Sequence, residues 1–322
     1  MTDLFKKTVA YRILSGDKIR GSLSHAYMVV CQDAVALPEY LKAVAKTIVC
    51  ADESSFCGEC RSCTLIDKGI YTDVTFYPKN EGGKILVADV DEMIAQSYVK
   101  PFEGDKRVFV FCGAENMLAQ SQNKILKTLE EPPQGVYVIL GTTNENAILS
   151  TVKSRVKKLS VPDFSEEEIL DYLSGRFPEK DEKELSRAAA FADGKIGSAL
   201  SYVEKGGDNS AVEALVLDML ENMKNSKDVL DYTVKIDKTN VREFLICLKK
   251  TLARAARCSC GKEEKSGAIR RISAIYGTAA CLAVINRINA CERALYFNGN
   301  VTMIADGILL GVLEEKYKWK KL

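Results

Sequence analysis

The chain has 322 residues, too many for one compact core, so we expect two or three domains. Hydrophobic residues make up 47% and charged residues 28%, a balance that is typical of a folded globular protein and excludes a disordered chain. The net charge of +1 provides no overall field that would draw the protein onto nucleic acid, so a DNA contact would need a local patch. The sequence begins without a long apolar run, and we see no stretch that approaches the roughly 20 apolar residues of a membrane span. We therefore expect a cytoplasmic protein.

Apolar runs and amphipathic segments alternate in the first half of the chain. Runs of β-branched and aromatic residues are typical of strands buried on both faces, and strands that alternate with helices predict a parallel sheet covered on both sides. The predicted strands are Ala26–Cys31, Asp73–Tyr77, Ile85–Val90, Val108–Phe111, Val136–Leu140 and Val156–Val161, and the predicted helices are Glu39–Val49, Val90–Val99 and Met117–Glu130.

The character of the sequence changes after Pro162, where the patterns become helical. Ser165 and the three glutamates that follow it predict a helix N-terminus, and the run from Gly206 to Asn209 predicts a linker. We therefore predict an α/β domain over 1–162, a small helical domain over 163–206 and a larger helical domain over 207–322. The predicted helices of the second domain are Glu167–Leu173, Glu182–Ala192 and Ile196–Glu204, and breaks in the third are predicted near Cys258–Ser266 and Phe297–Asn300.

Four of the eleven cysteines, Cys50, Cys57, Cys60 and Cys63, fall within fourteen positions. Two-residue spacers, with Gly58 in the first turn, allow four thiolates to converge on a tetrahedral zinc ion. Four protein ligands leave no open position for water, so the predicted site is structural rather than catalytic. An iron–sulfur cluster, a redox pair or a set of free buried thiols is the alternative.

The first predicted strand is followed by a segment in which phosphate-binding chemistry is missing. A nucleotide-binding domain would continue with G-x-x-x-x-G-K-[ST]. The glycine positions are occupied by Cys31 and Ala36, Leu37 stands at the lysine position, and Pro38 replaces the hydroxyl residue and lacks an amide donor. Asp33 adds a negative charge where phosphates would lie. We therefore expect no nucleotide to bind here.

Glu115 and His25 receive structural interpretations. Glu115 is the one acidic residue after the strand 108–111, where an acidic pair would hold magnesium, and we interpret it as a solvated loop residue. His25 is the only histidine, and we interpret it as a packed residue at a strand start rather than a metal ligand.

Several motifs together resemble the bacterial clamp-loader AAA+ family. The segment Asn123–Pro133 resembles the L-L-K-T-L-E-E-P-P signature of these subunits. The resemblance covers about residues 1–205, and beyond them it rests on helical character alone. Further similar segments are Ser24–Tyr27 (S-H-A-Y), Thr142–Asn144 (a sensor segment), Ser154-Arg155-Val156 (S-R-C except at its last position) and Gly194–Leu200 (a second sensor segment, with Gly197 where ATP-binding members carry arginine).

Within that family the pattern resembles the delta-prime type, which keeps the cysteine module and the S-R-C arginine but lacks a working P-loop. The resemblance implies a P-loop-type (AAA+, RecA-like) domain with a zinc module at 50–63, a helical lid and an all-α collar for oligomerisation. It implies that Arg155, with Ser154, acts in trans on ATP held by a neighbouring gamma/tau motor subunit, while this chain has no ATPase of its own. The implied partners are the gamma/tau and delta subunits and, through the complex, the sliding clamp and primer–template DNA.

Other functions stay open at this stage. An active gamma/tau-like ATPase with a divergent P-loop is one, although Leu37 and Pro38 count against it. A zinc-containing DNA-binding regulator is another, although the near-neutral charge counts against it. Taken alone, Arg155 is equally consistent with a surface salt bridge. Arg254, Arg257, Arg270 and Arg271 are interpreted as part of a solvated helical face rather than a DNA contact.

Overall fold

The computed structural model describes residues 1–53, 55–79, 84–204, 209–237, 240–264, 266–296 and 301–318. The chain divides into two compact units, Met1–Ser201 and Tyr202–Leu322. The predicted lid, residues 163–206, falls almost wholly in the first unit, so a separate domain boundary at 162 stays a prediction. Most of the predicted linker at Gly206–Asn209 lies outside the described residues.

A five-stranded parallel sheet forms the centre of the first unit. Its order is β2-β3-β4-β1-β5, so β1 lies next to the edge strand β5. After β1 the chain crosses to the opposite edge, forms β2, β3 and β4 in turn, and ends at β5 on the other side of β1. The predicted parallel α/β sheet is confirmed. The strands are β1 (Ala26–Val30), β2 (Val74–Tyr77), β3 (Arg107–Cys112), β4 (Val136–Thr142) and β5 (Lys157–Ser160).

Ten α-helices are described in or at the end of this unit. Two of them precede β1 and one follows the cysteine cluster, and the sequence patterns had not predicted these three. The helices are α1 (Thr2–Lys7), α2 (Val9–Ile19), α3 (Leu37–Val49), α4 (Arg61–Asp67), α5 (Val87–Ser97), α6 (Ala119–Glu130), α7 (Ser150–Lys153), α8 (Glu166–Arg176), α9 (Glu182–Ala192) and α10 (Ile196–Glu204).

The strand predicted at Ile85–Val90 is wrong. Val87 begins α5, and the carboxylate of Asp89 accepts a hydrogen bond from the Leu86 amide at 2.7 Å, which fixes the start of that helix. Ile85 and Val90 are nevertheless buried in the core that lies between the sheet, α5 and α6. The apolar run therefore indicated burial correctly, but the segment begins a helix and does not form a strand.

On the other face of the sheet, α3 packs closely over β1, β3 and β4. The approach is closest at Gly141 of β4, where a Cβ atom would lie 2.5 Å from Cδ1 of Leu41. Because real Cβ atoms do not come so near, any other residue at 141 would force the buried Leu41 side chain of α3 to move. This contact fixes the start of α3 next to the carboxyl end of β1.

A buried carboxylate ties α2 to the sheet. Asp17 accepts hydrogen bonds from Lys157 of β5 at 2.8 and 2.7 Å, from the Tyr27 hydroxyl at 3.0 Å and from Arg20 at 2.8 Å. Burial alone would raise the pKa of Asp17, but these hydrogen bonds outweigh it and lower the pKa below its usual value.

Replacing Asp17 with asparagine is expected to lower the free energy of unfolding by about 2–3 kcal/mol at neutral pH, since charge-assisted bonds are lost at a buried site. Because the pKa of Asp17 is lower in the folded chain than its unfolded value of about 3.9, this contribution is present above that value and disappears as the pH falls through the folded-state pKa. Urea denaturation of both proteins between about pH 6 and pH 2 measures the difference. It should shrink in acid, and an equal difference at every pH would contradict the assignment. Asp105→Asn, at an exposed acid, is the control.

The described residues of the second unit contain α-helices and no strand. A buried lysine joins its two ends, since Lys316 donates to the Met223 carbonyl at 2.7 Å. Tyr276 donates to the Leu220 carbonyl at 3.1 Å. The predicted break at Cys258–Ser266 is confirmed between two of the helices, and the predicted break at Phe297–Asn300 lies outside the described residues. The helices are α11 (Asn209–Asn222), α12 (Ser226–Thr233), α13 (Val241–Ser259), α14 (Gly267–Tyr296) and α15 (Val301–Lys318).

One segment of α14, Gly267–Asn289, is long and apolar enough to cross a membrane by length and composition, which the sequence survey had overlooked. A core helix of a soluble protein passes the same test, so the segment is weak evidence for a membrane span. The backbone also leaves helical geometry within it, at Gly277 (φ 65°, ψ 174°).

Candidate functional site

The four clustered thiols converge between α3 and α4. Cys50 directly follows α3, Cys60 caps the start of α4, and Cys63 lies in the first turn of α4. Cys57 lies in the connecting loop, where Gly58 has a left-handed φ of 81° that a side chain rarely adopts. The four sulfur atoms lie within 4.8 Å of one another, although they are separated by up to thirteen positions in the sequence.

The sulfur geometry fits one metal ion. The Sγ atom of Cys50 lies 3.7 Å from that of Cys57 and 3.8 Å from that of Cys60. A tetrahedral zinc ion with Zn–S bonds of about 2.3 Å places its ligands about 3.8 Å apart. Sulfurs this close enclose a single ion rather than a cluster of several irons. The cluster can therefore hold a metal and is compatible with zinc.

Backbone amides and neighbouring thiols support negative charge at this cluster. The amides of Cys57 and Cys60 point to the sulfurs of Cys50 and Cys57 at 3.4 and 3.3 Å. Burial would raise the pKa of the Cys60 thiol, but hydrogen bonds, first among them one with Ser62, lower it to about 6. Burial raises the pKa of Cys63. Binding of a metal therefore has to displace a proton from the buried thiol at neutral pH.

Lysines fasten the cysteine loop to the rest of the first unit. Lys18 of α2 donates to the carbonyls of Cys50 and Ser55, both at 2.7 Å. Lys46 of α3 pairs with Asp67 of α4 at 2.7 Å. These lysines also bring positive charge to the neighbourhood of the thiols. No local sequence pattern predicts these contacts, since the partners of the two lysines lie 21 to 37 positions away.

The segment after β1 lies where parallel sheets bind ligands, at the carboxyl end of the strand at which the chain order changes direction. Leu37 begins α3 and is 2% exposed, so its side chain packs inward instead of reaching a phosphate. Pro38 follows it within the first turn. The amides of Val35 and Ala36 donate to Oδ1 of Asp33 at 3.1 and 3.2 Å. Amides that could hold a phosphate are therefore engaged by this chain's own carboxylate.

Glu115 is not the solvated loop residue that we expected. Gly113 turns the chain with a left-handed φ of 80° after β3, and Glu115 follows in a short 3₁₀ turn. Its Oε1 atom accepts hydrogen bonds from the Thr143 hydroxyl at 2.5 Å and the Thr143 amide at 3.2 Å. Its Oε2 atom is buried, and no hydrogen-bond partner for it lies among the described residues. Glu115 thus connects the end of β3 to the segment after β4.

Arg155 follows the short helix α7 and is held by its own chain. Its Nε and Nη2 atoms lie 2.7 and 2.6 Å from Oε1 of Glu130, the last residue of α6. Its Nη1 atom donates to the Thr151 carbonyl at 2.8 Å and to the Ser154 hydroxyl at 3.1 Å. The side chain is still 35% exposed, so these contacts do not seal Arg155 off from solvent. The sequence had identified Glu130 as a helix end, which is confirmed, but not as a partner of Arg155.

His25, Arg254 and Arg271, which the sequence analysis singled out, have structural partners. The Nε2 atom of His25 lies 2.8 Å from the Leu129 carbonyl, as a packed structural histidine would. In the second unit, Arg254 and Arg271 each pair with a glutamate of the same unit at 2.7 and 2.9 Å.

Comparison with known proteins shows which family and which relatives the chain resembles in sequence. A family described as "DNA polymerase III, delta subunit" matches residues 6–165, about half of the chain. The chain is 28% identical over 210 residues to the DNA polymerase III gamma subunit of Buchnera aphidicola (from Schizaphis graminum), covering 62% of this chain and 57% of that protein. It is 31% identical over 188 residues to the delta' subunit of Haemophilus influenzae, covering 56% of each. The chain thus spans little more than half the length of these relatives.

Among solved structures, a DNA polymerase III gamma subunit-related protein from Thermotoga maritima covers 94% of this chain, with 99% of its own length covered, a TM-score of 0.45 and 16% identity. The DNA clamp loader delta protein of Bacillus subtilis covers 95% of this chain, with 100% of its own length covered, a TM-score of 0.38 and 11% identity.

Proposed function

Because this chain belongs to the bacterial clamp-loader AAA+ family, we propose that it is a delta-prime-type subunit of the DNA polymerase III clamp loader. In this role it has no ATP site of its own and supplies Arg155 to ATP bound by a neighbouring gamma/tau motor subunit. The relatives include gamma and tau subunits as well as delta', so the choice depends on the residues of this chain.

The observation that favours the delta-prime type over an active ATPase is the lack of phosphate-binding groups in the segment 31–38. An ATP site needs free amides, a lysine that reaches the phosphates and a hydroxyl for magnesium. Here a carboxylate takes two of the amides, Leu37 is buried, and Pro38 offers neither a hydroxyl nor an amide hydrogen. A negative group at the phosphate position repels the nucleotide as well. An active gamma/tau-like ATPase is therefore the weaker reading of the same family.

The role of Arg155 follows from the chemistry of its side chain. A guanidinium supplied from a neighbour stabilises the charge on the transferring phosphoryl group, and its forked donors match phosphate oxygens. In this chain the Arg155 side chain is partly exposed, and its guanidinium is held between the end of α6 and the carbonyl of Thr151. Ser154 supports it through the hydroxyl contact. A phosphate would have to replace Glu130 to gain both donors of the fork.

The cysteine cluster is proposed to hold one structural zinc ion. Cys50, Cys57, Cys60 and Cys63 would fill all four positions, and the ion would supply no catalytic water but would hold the ends of α3 and α4 together. The helices of the second unit are proposed to assemble with the gamma/tau and delta subunits as a collar. The assembled ring would contact the sliding clamp and primer–template DNA in the cytoplasm.

A titration of the isolated chain with magnesium-ATP tests the proposal. We expect no saturable binding at micromolar concentrations, the range of about −8 kcal/mol, and no hydrolysis. In size-exclusion chromatography the chain should elute together with the motor subunits. Saturable micromolar binding of ATP would restore the active-ATPase alternative, and failure to form a complex would contradict the clamp-loader role.

A further inference from the structure

Asp33 joins two segments that lie 164 positions apart in the chain. Its side chain is buried, with the whole residue 6% exposed. Oδ1 accepts from the amides of Val35 and Ala36, at the entrance to α3. Oδ2 accepts from the amide of Gly197, in the first turn of α10, at 2.6 Å. The two oxygens of one carboxylate therefore serve two different elements.

An ordinary helix cap does not explain this arrangement. A capping aspartate uses its carboxylate on the amides of its own helix. Oδ1 of Asp33 instead accepts from two amides of the turn that precedes α3. The Gly197 amide belongs to the first turn of a helix and has no carbonyl partner within that helix. Both helix entrances carry partial positive charge, and an anion placed between them is stabilised by both.

We propose that the Asp33 carboxylate is a built-in anion that occupies the place of a bound phosphate and latches α10 onto the segment between β1 and α3. The latch makes the position of α10 independent of nucleotide, since the bridging anion is part of the chain. This inference concerns the conformation of the first unit and holds whether or not Arg155 acts on a neighbour.

The glycine at position 197 is required for the same contact. A Cβ atom there would lie 2.6 Å from Oδ1 of Asp33 and 2.4 Å from Cβ of Val35, closer than real Cβ atoms come to their neighbours. Any side chain at 197 would push α10 away from the carboxylate. The sequence had singled out Asp33 and Gly197 separately, as departures from two different motifs. The structure shows that they form one contact.

Asp33→Asn distinguishes the contact with Gly197 from the contacts with the turn before α3. An asparagine oxygen can still accept from Val35 and Ala36, but its amide group would face the Gly197 amide, donor against donor. Hydrogen exchange of the full-length variant should become about 10- to 100-fold faster at residues 196–200, while the start of α3 keeps its protection. Asp171→Asn, at an exposed acid of α8, is the matched control and should exchange like the wild type.

Gly197→Ala disturbs the same contact between Asp33 and Gly197 while the Asp33 carboxylate is retained. It should also speed exchange at 196–200, and combining it with Asp33→Asn should add little further. Magnesium-ATP should change neither the wild type nor the variants in this region. Wild-type exchange at 196–200 in either variant would overturn the latch. Equal loss of protection from exchange at α3 and α10 in both variants would also overturn the latch. It would show instead that the site is a general determinant of folding.

Discussion

Replacing Arg155 with alanine is expected to abolish the contribution of this chain to ATP hydrolysis by the assembled complex. A trans arginine is worth about 10³-fold or more in turnover at the site that it faces. The bulk rate should fall by less, because the other sites of the ring keep arginines of their own. Clamp loading should fall with it. The measurement is the clamp- and DNA-stimulated ATPase rate of complexes reconstituted with wild-type or variant chain.

The folding of the variant should be nearly unchanged, since Arg155 is partly exposed and its pair with Glu130 is of the kind that adds little stability. Arg155→Lys should restore little activity, because a point charge does not reproduce the fork. Glu131→Gln is a matched control at the neighbouring exposed acid, which is not a partner of Arg155. Full ATPase and full loading by an intact Arg155→Ala complex would show that Arg155 is a surface residue only.

Removal of the metal is expected to have the largest effect on stability. Apparent binding free energies of structural zinc in small peptides reach about 10–16 kcal/mol, as much as the whole stability of many domains. Protein purified without added metal should contain close to one zinc per chain. Cys63→Ser should lose the zinc and unfold at lower temperature, because Cys63 is fully buried and serine provides no thiolate.

Elemental analysis and thermal denaturation with and without a chelator measure both effects. Cys260→Ser, at an exposed thiol of the second unit, is the control and should change neither zinc content nor stability. Wild-type protein that contains no zinc as purified, or whose stability a chelator leaves unchanged, would contradict the metal site. Several irons per chain would contradict the single-ion geometry.

The sequence predicted the elements that have strong periodicity. The runs that became β1, β3 and β4 are buried on both faces of the sheet, and α3 carries a clear apolar face, so pattern and structure agree. The helices α1 and α2 were missed, since the first is only six residues long and the second exposes Val9 and Ile19. At Ile85–Val90 a short apolar run could not distinguish a strand from a buried helix start.

The candidate sites also differ in how well the sequence predicted them, according to how far apart their residues lie in the chain. Four cysteines at short spacing predict a metal site because the ligands are close in sequence as well as in space. The partners of Glu115 and Arg155 lie 28 and 25 positions away, and Gly197 is 164 positions from Asp33. Contacts of this kind depend on the register of the sheet and the return of distant helices, for which one sequence carries no local signal.

The most direct test of the account is the ATPase rate of the gamma/tau motor subunits measured alone, with this chain, and with its Arg155→Ala variant, next to this chain by itself. The account predicts no hydrolysis by the isolated chain, a rise in the rate of the motor subunits when the wild-type chain is added, and no such rise with the variant. Hydrolysis by the isolated chain, or equal stimulation by wild type and variant, would contradict it.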